Sequence, residues 1–260
     1  MKILIDTDLL TDDVTAYTAS SSDASYPAAN MRDNYPGNVW KAASGTSATI
    51  RLVVSKGSTV AMFNTNATVV TVATTKGDTY YVNESGYANE SGNVYQLAIT
   101  TAVSVSDLSG ANGKLWAEYT EQTVPHIVTI VLTAGAAPSI GVLRAGNVEE
   151  FENPGRDGMG EGSVDYSIEA TMPNGANYFR KRDVVRTHSG LSMIETRANA
   201  FIFKHDIFDA VGPMPLAVRL AADSITDDEL IVFAKRANPV TIEHITSTLT
   251  RINFELQEVI

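Results

Sequence analysis

The side chains best suited to catalysis or metal binding are scattered along this sequence. Its four histidines show no His-x-Glu or His-Glu-x-x-His spacing, the patterns that bring several ligands to one metal ion: His126, His188, His205 and His244. The absence of cysteine excludes a disulfide framework, a thiolate zinc site and a thiol nucleophile. The histidines are therefore interpreted as structural or surface residues, and we predict no catalytic, cofactor-binding or metal-binding residue.

Two clusters could in principle bind phosphate or nucleic acid. Gly155–Gly162 is rich in glycine, but no Lys-Ser/Thr follows it and no strand-to-helix junction frames it, so we expect no phosphate cradle there. Tyr178 and Phe179 precede the basic run Arg180-Lys181-Arg182. Because the chain is acidic overall, we expect this run to pair with carboxylates of a neighbouring subunit. The remaining chemistry is recognition and assembly.

Net charge, length and hydropathy further narrow the classes of protein to which the chain can belong. The chain has 260 residues, enough for one or two domains with a sizeable core. It carries 30 acidic and 19 basic side chains, a net charge of −11 that argues against a protein that binds nucleic acid. No apolar run reaches the roughly 18 residues of a transmembrane helix. We therefore expect neither a nucleic-acid partner nor a membrane span.

The elements that would position these residues are mostly strands. In the first half of the chain, short runs of β-branched and apolar residues recur between turns rich in Gly, Asn and Ser: 49–54, 59–63, 68–74, 79–82, 94–99, 115–119 and 127–132. Strands spaced about ten residues apart, without alternating helices, are typical of a sandwich or jelly roll.

The second half of the chain has a different composition. Residues 153–162 indicate a long exposed loop, and strands are predicted at 163–170, 200–204, 216–220, 230–235 and 252–258. A short helix is predicted over 183–196. The sequence thus predicts an all-β protein with an N-terminal jelly-roll sandwich, residues 1–145, followed by a β-rich assembly domain, residues 146–260.

The segment from Tyr26 to Asp33, together with Trp40 ahead of the strand at 49–54, resembles the opening of galactose-binding-like jelly-roll domains, the discoidin or coagulation factor 5/8 C type. In this resemblance Asn30 and Asp33 fix an irregular loop through their side-chain oxygens. Trp40 fills the end of the sandwich with a large apolar surface.

Further segments resemble versions of this domain in bacteriophage tail proteins: 60–68, 126–132, 140–146 and 230–260. The resemblance implies a structural component of the tail tip or baseplate, made in the host cytoplasm and located in the virion. It implies contacts with other tail proteins and a homo-oligomer, a trimer or hexamer, with no enzymatic activity and no cofactor.

A carbohydrate-binding module is the first alternative, since galactose-binding-like domains often hold sugars in loops at one end of the sandwich. Four tyrosines could stack on pyranose rings: Tyr35, Tyr80, Tyr81 and Tyr87. Packing between strands is the other interpretation of these tyrosines. A host surface glycan would then be a partner, and this alternative is compatible with a tail protein.

A calcium-dependent nucleoside hydrolase is the remote alternative. Ile5–Asp13 resembles the Asp-Thr-Asp-Pro-Gly-x-Asp-Asp signature of that family, which implies calcium binding by Asp8, Asp12 and Asp13. Lys204-His205-Asp206 would echo the family's C-terminal His-Asp pair. However, Leu9-Leu10 replaces the Pro-Gly of the turn, and the following residues predict strands rather than the alternating helices of an α/β fold.

Overall fold

A computed structural model describes residues 1–6, 18–54, 56–76, 81–83, 86–88, 101–106, 113–122, 126–154, 160–171, 177–181, 184–220 and 230–259. The strands of the first half are β1 Lys2–Asp6, β2 Thr18–Ala19, β3 Trp40–Lys41, β4 Ser47–Val54, β5 Gly57–Thr65, β6 Ala67–Lys76, β7 Tyr81–Asn83, β8 Gly86–Ala88, β9 Thr101–Ser106, β10 Leu115–Gln122, β11 His126–Ala134 and β12 Ser139–Glu150. A 3-10 helix spans Ala28–Arg32.

The second half continues with β13 Gly160–Asp165, β14 Ile168–Thr171, β15 Asn177–Arg180, β16 Val184–Thr196, β17 Leu216–Arg219, β18 Ile231–Arg236, β19 Thr241–His244 and β20 Leu249–Glu258. Helix α1, Arg197–Phe201, runs into a π-helical segment, Ile202–Asp209. None of the helices in the described ranges has the length and apolar character that a membrane crossing requires.

The chain divides into two compact units. The first, called the N-terminal unit, comprises Ile3–Glu149 with Thr226–Ile231, and the second, called the C-terminal unit, comprises Met1–Lys2, Glu150–Ile225 and Val232–Ile260. The division into domains 1–145 and 146–260 concerns autonomous folding and stays a prediction.

The N-terminal unit is a β-sandwich. One sheet has the strand order β2-β4-β11-β6-β9, and in the other β5 pairs antiparallel with β10 and β12 while β3 pairs with β12. Every second residue of β4 is buried, as a sheet with one face in a core requires. The buried cluster between the sheets includes Trp40, Ile50, Met62, Ile130 and Leu143, all fully buried. The predicted all-β fold of jelly-roll type is confirmed.

In the C-terminal unit, β20 pairs antiparallel with β16, β18 and β19, and β16 pairs with β13. Its core centres on Phe203, whose ring centroid lies 4.8 Å from that of Phe208 and 5.1 Å from those of Phe151 and Phe254. Aromatic rings at these separations bury large apolar areas in offset or edge-on contacts. The predicted second β-rich region is therefore present.

Three local predictions in this half were wrong. Residues 184–196 form β16 rather than a helix, because Leu191, Met193 and Glu195 are buried with a period of two. Residues 200–204 form a helix rather than a strand, since the hydroxyl of Thr196 accepts a hydrogen bond from the backbone of Asn199 and starts α1. Residues 160–162, predicted in a loop, belong to β13.

Candidate interaction surfaces

The first candidate surface is the loop of residues 20–38 in the N-terminal unit, called the anchored loop. It is held by Arg144 of β12, which is only 3% exposed. The guanidinium donates hydrogen bonds to five oxygens, four on the backbone and one on a side chain: Met31 O at 3.4 Å, Leu143 O at 3.1 Å, Arg32 O at 3.1 Å, Asp33 O at 3.1 Å and Asn34 Oδ1 at 2.9 Å. A planar cation with several donors thus gathers the carbonyls at the end of the 3-10 helix.

Side chains of the predicted motif fix the same loop. Asp33 Oδ2 accepts a hydrogen bond from Asn38 Nδ2 at 2.7 Å, as predicted for a side-chain oxygen. Asn30 differs from the prediction, because its amide nitrogen donates to Val39 O at 2.9 Å. Trp40 is fully buried, as predicted, and its indole nitrogen donates to Ser22 Oγ at 2.9 Å. These bonds satisfy the polar groups of an irregular segment.

Close backbone approach adds a further constraint. A Cβ atom at Gly141 would lie 2.2 Å from Pro36 O, so only glycine fits beneath this part of the loop. Pro36 O also accepts a hydrogen bond from Asn64 Nδ2 at 2.7 Å. Asn64 has φ of 55°, the left-handed conformation that asparagine tolerates better than most residues.

The anchored loop presents two tyrosines to solvent, Tyr35 at 62% and Tyr26 at 41% exposure. An exposed aromatic ring on a fixed backbone can stack against a flat apolar face, including that of a sugar. Of the other tyrosines predicted to stack, Tyr80 lies outside the described residues, and so do the side chains of Tyr81 and Tyr87.

The second candidate surface is a β-ribbon in the C-terminal unit, called the arm, with described residues 160–171, 177–181 and 184–186. β13 pairs with the start of β16, from Gly160 opposite Ser189 to Asp165 opposite Val184, and β14 pairs with β15 from Ile168 opposite Arg180. β20 borders β16 only from Thr187 onward. Within the described ranges, β13 is the last strand of its sheet and β14 and β15 form a sheet of two strands.

A buried histidine holds the root of the arm. His188 of β16 is fully buried, with Nε2 3.4 Å from Glu258 Oε1 of β20 and Nδ1 3.8 Å from Glu161 Oε1 of β13. Gln257 of β20 adds a hydrogen bond from its side-chain amide to the hydroxyl of Tyr166. The ribbon is therefore connected to the sheet by specific polar contacts at its base.

Beyond the root, the arm exposes apolar side chains. Among the described residues of the arm, five large apolar side chains are at least a third exposed: Val164, Tyr166, Tyr178, Phe179 and Val184. Phe179 is 63% exposed and Tyr178 47%, and as successive residues of a strand they lie on opposite faces of the ribbon. Exposed rings on both faces of one ribbon form a surface suited to a protein partner.

The arm also separates charge between its two sides. Asp165 and Glu169 lie on the β13-β14 side, and Arg180, Lys181 and Arg186 lie on the β15-β16 side. Hydrogen bonds from the side chain and backbone of Ser167 lower the pKa of Asp165, and the charge of Lys181 lowers it further. Asp165 is therefore an anion at neutral pH.

The remaining histidines lie in separate surroundings. His126 is buried with Nε2 3.0 Å from the hydroxyl of Tyr119, and burial raises the pKa of Tyr119 well above its usual range. His205 Nδ1 lies 3.1 Å from Asp209 Oδ2 on the π-helical surface. Asp8, Asp12 and Asp13 fall outside the described residues. Within the described ranges, no group of three or more His, Asp or Glu side chains is placed to hold a metal ion.

Comparison with known proteins gives similarity only at the level of solved structures. No family model and no curated protein matches this chain. A chitosan-binding module of a chitosanase/glucanase from Paenibacillus sp. IK-5 is 19% identical over 53% of this chain and 96% of that chain, with a TM-score of 0.37. A structure of reduced XRCC1 bound to the catalytic domain of DNA polymerase beta is 16% identical over 52% and 96%, with a TM-score of 0.36. A GH29 fucosidase of Ruminococcus gnavus in complex with fucose is 14% identical over 56% of this chain and 27% of that chain, with a TM-score of 0.40.

Sequence reasoning missed both the role of Arg144 and the arm. An arginine within the apolar run Ile140–Ala145 is the signal that could have pointed to a buried polar site, because a buried cation needs hydrogen-bond partners. The arm depends on pairing between residues far apart in sequence, and its glycine-rich beginning predicts a loop. Tyr178, Phe179 and Arg180 were recognised as a cluster but not as part of a ribbon.

Proposed function

We propose that this chain is a structural component of a bacteriophage tail, a subunit of the tail tip or baseplate that acts through protein–protein contacts and not through turnover. The arm is the observation that supports this proposal best. It combines exposed aromatic rings on both faces with strand edges that no described strand covers. Such a ribbon is stabilised when a neighbouring chain covers it.

Its partners would be other tail or baseplate proteins and further copies of the chain, and its site of action would be the virion. Fixed contacts hold both candidate surfaces in place, as a structural subunit requires. The polar groups of the anchored loop are bonded to one another and to Arg144, and His188 lies between two carboxylates at the root of the arm.

The first test is the protein composition of phage particles. Particles released by cells that carry the gene would be purified on a density gradient and analysed by quantitative mass spectrometry. We expect the chain in a fixed ratio to the tail proteins. Its recovery only in the soluble fraction, with none in the particles, would contradict the proposal.

The second test asks whether the arm supplies the contacts. A gene deletion would be complemented with Tyr178→Ser combined with Phe179→Ser, and the matched control would be Tyr35→Ser in the anchored loop. We expect the arm variant to be absent from particles and the control to be incorporated normally. Normal incorporation of both variants would overturn the assignment to the arm.

Carbohydrate binding is the second candidate function, and Tyr35 favours it. Its ring is 62% exposed on a loop whose backbone is fixed by Arg144, so little ordering entropy would be lost on stacking against a sugar. A glycan array with the wild type, Tyr35→Ala and the arm control Tyr166→Ala tests it. Binding that is lost only in Tyr35→Ala would support this function, and no binding by the wild type would contradict it.

A further inference from the structure

The arm carries opposite charges on its two sides, and this separation is informative about its partner. The β13-β14 side has the carboxylates Asp165 and Glu169, and the β15-β16 side has the cations Arg180, Lys181 and Arg186. All five side chains are exposed. A partner of the β15 edge should therefore present acidic residues, and a partner of the β14 edge should present basic ones.

The positions of the aromatic rings indicate how that partner binds. Tyr178 and Phe179 lie on opposite faces of β15, so a protein packed against one face would leave one ring exposed. A strand added alongside β15 places side chains on both faces and covers both rings at once. Edge-to-edge pairing thus fits the arm better than packing on one face.

We propose that the partner is a second copy of this chain, whose β13-β14 edge pairs antiparallel with the β15 edge of the first. This inference rests on the proposed assembly function and names its contact. Asp165 and Glu169 of one copy would then lie beside Arg180 and Lys181 of the next. Each arm offers one edge of each charge, so the contact repeats head to tail and closes into a ring when the rotation between copies allows it.

Antiparallel pairing follows from the direction of the strands. β14 runs toward the end of the arm and β15 runs back from it. When copies are related by rotation with their arms side by side, β14 of one copy and β15 of the next run in opposite directions. This is the arrangement in which cross-strand ion pairs and aromatic pairs stabilise a sheet.

The test uses two charge-reversed variants of the full chain. The acid-reversed variant is Asp165→Lys with Glu169→Lys, and the base-reversed variant is Arg180→Glu with Lys181→Glu. Light scattering should give the wild type the mass of two or more chains of 27.9 kDa. Each variant alone should have the mass of one chain. An equimolar mixture of the two variants should regain a mass above that of one chain, because the arms again present opposite charges.

If the opposite charges serve only to pair the two strands within one arm, the mixing experiment gives a different result. Mixing would then restore nothing, and that outcome would overturn the inference. The control with the same net charge change as the acid-reversed variant is Glu149→Lys with Asp206→Lys, which lies away from the arm and should keep the wild-type mass. Loss of assembly in that control would also overturn the inference, since net charge rather than the arm would be responsible.

Two further outcomes keep the test decisive. If either reversed variant fails to fold by circular dichroism, the milder Glu169→Gln is tested alone and should raise the concentration needed for assembly about threefold, the effect of losing one exposed ion pair; no rise would contradict the inference. If the wild type stays at 27.9 kDa while particles contain the chain and need Tyr178 and Phe179, the pairing of copies is wrong and the proposed tail function stands.

Discussion

The anchored loop and the arm are both peripheral segments that expose aromatic side chains, but they differ in how their polar groups are satisfied. In the anchored loop many backbone carbonyls accept hydrogen bonds from within the same chain, and the buried Arg144 donates to three of them, Met31 O, Arg32 O and Asp33 O. In the arm the chain supplies strand pairing within the ribbon and polar contacts at its root. The loop is therefore held within one chain, whereas the arm has strand edges that no described strand covers.

The largest effect on stability is expected from Arg144→Met. The substitution removes the five hydrogen bonds that the guanidinium donates, so we expect a loss of about 3–5 kcal/mol in the free energy of unfolding. Urea denaturation followed by circular dichroism measures it. Arg186→Met in the arm is the matched control, expected within about 0.5 kcal/mol of wild type because the side chain is exposed. Equal effects would remove the distinction between the two regions.

Gly141→Ala should have the second-largest effect on stability. Its Cβ would clash with Pro36 O at 2.2 Å, and a backbone atom cannot rotate away, so we expect about 1–3 kcal/mol of destabilisation. Gly135→Ala, where a Cβ meets nothing within 4 Å, should change stability by no more than about 0.5 kcal/mol. Similar thermal unfolding curves for the two variants would show that the close approach of Gly141 to Pro36 O does not require a glycine.

Arg144 and Gly141 also show what could and could not be predicted from the sequence. In the N-terminal unit, strands were predicted well at 49–54, 59–63, 68–74, 115–119 and 127–132, because β-branched runs with turn residues between them depend on local pattern. The strand predicted at 94–99 lies outside the described residues. The loop motif from Tyr26 to Trp40 was recognised by its residue types. By contrast, Gly141 and Arg144 contact residues more than a hundred positions earlier, and no local pattern encodes such contacts.

The C-terminal half was predicted less well for a similar reason. Residues 184–196 were predicted to form a helix, yet β16 is defined by its partners β13 and β20, which lie on either side of it in sequence. Tertiary pairing overrides weak local propensity in such segments. The cluster at Tyr178–Arg180 was visible in the sequence, whereas its opposing carboxylates on β13 and β14 became apparent only from the register.

Alkaline pH should affect the N-terminal unit through Tyr119. Burial raises the pKa of Tyr119 above its value of about 10 in an unfolded chain. Its contribution to stability is therefore complete below about pH 10 and is lost as the pH rises toward the higher pKa of the folded state. Tyr119→Phe should cost about 1 kcal/mol at pH 7 through the lost bond to His126, and its stability should fall less steeply above pH 10. Parallel pH profiles of wild type and variant would contradict this account.

The smallest effect on stability is expected from the arm variant, although its effect on assembly should be the greatest. Tyr178→Ser combined with Phe179→Ser removes exposed rings, so we expect the free energy of unfolding of the isolated chain to change by about 0.5 kcal/mol or less. Its mass by light scattering should nevertheless fall to that of one chain. A large loss of stability would mean that the rings pack within the chain and would weaken the case for a partner surface.

Hydrogen exchange measured at low and high protein concentration tests the central claim most directly. Backbone amides of the arm should exchange more slowly at high concentration, because the strand edges become paired, while amides of the anchored loop should exchange at the same rate at both concentrations. Exchange in the arm that does not depend on concentration, or protection that appears instead in the anchored loop, would contradict the account.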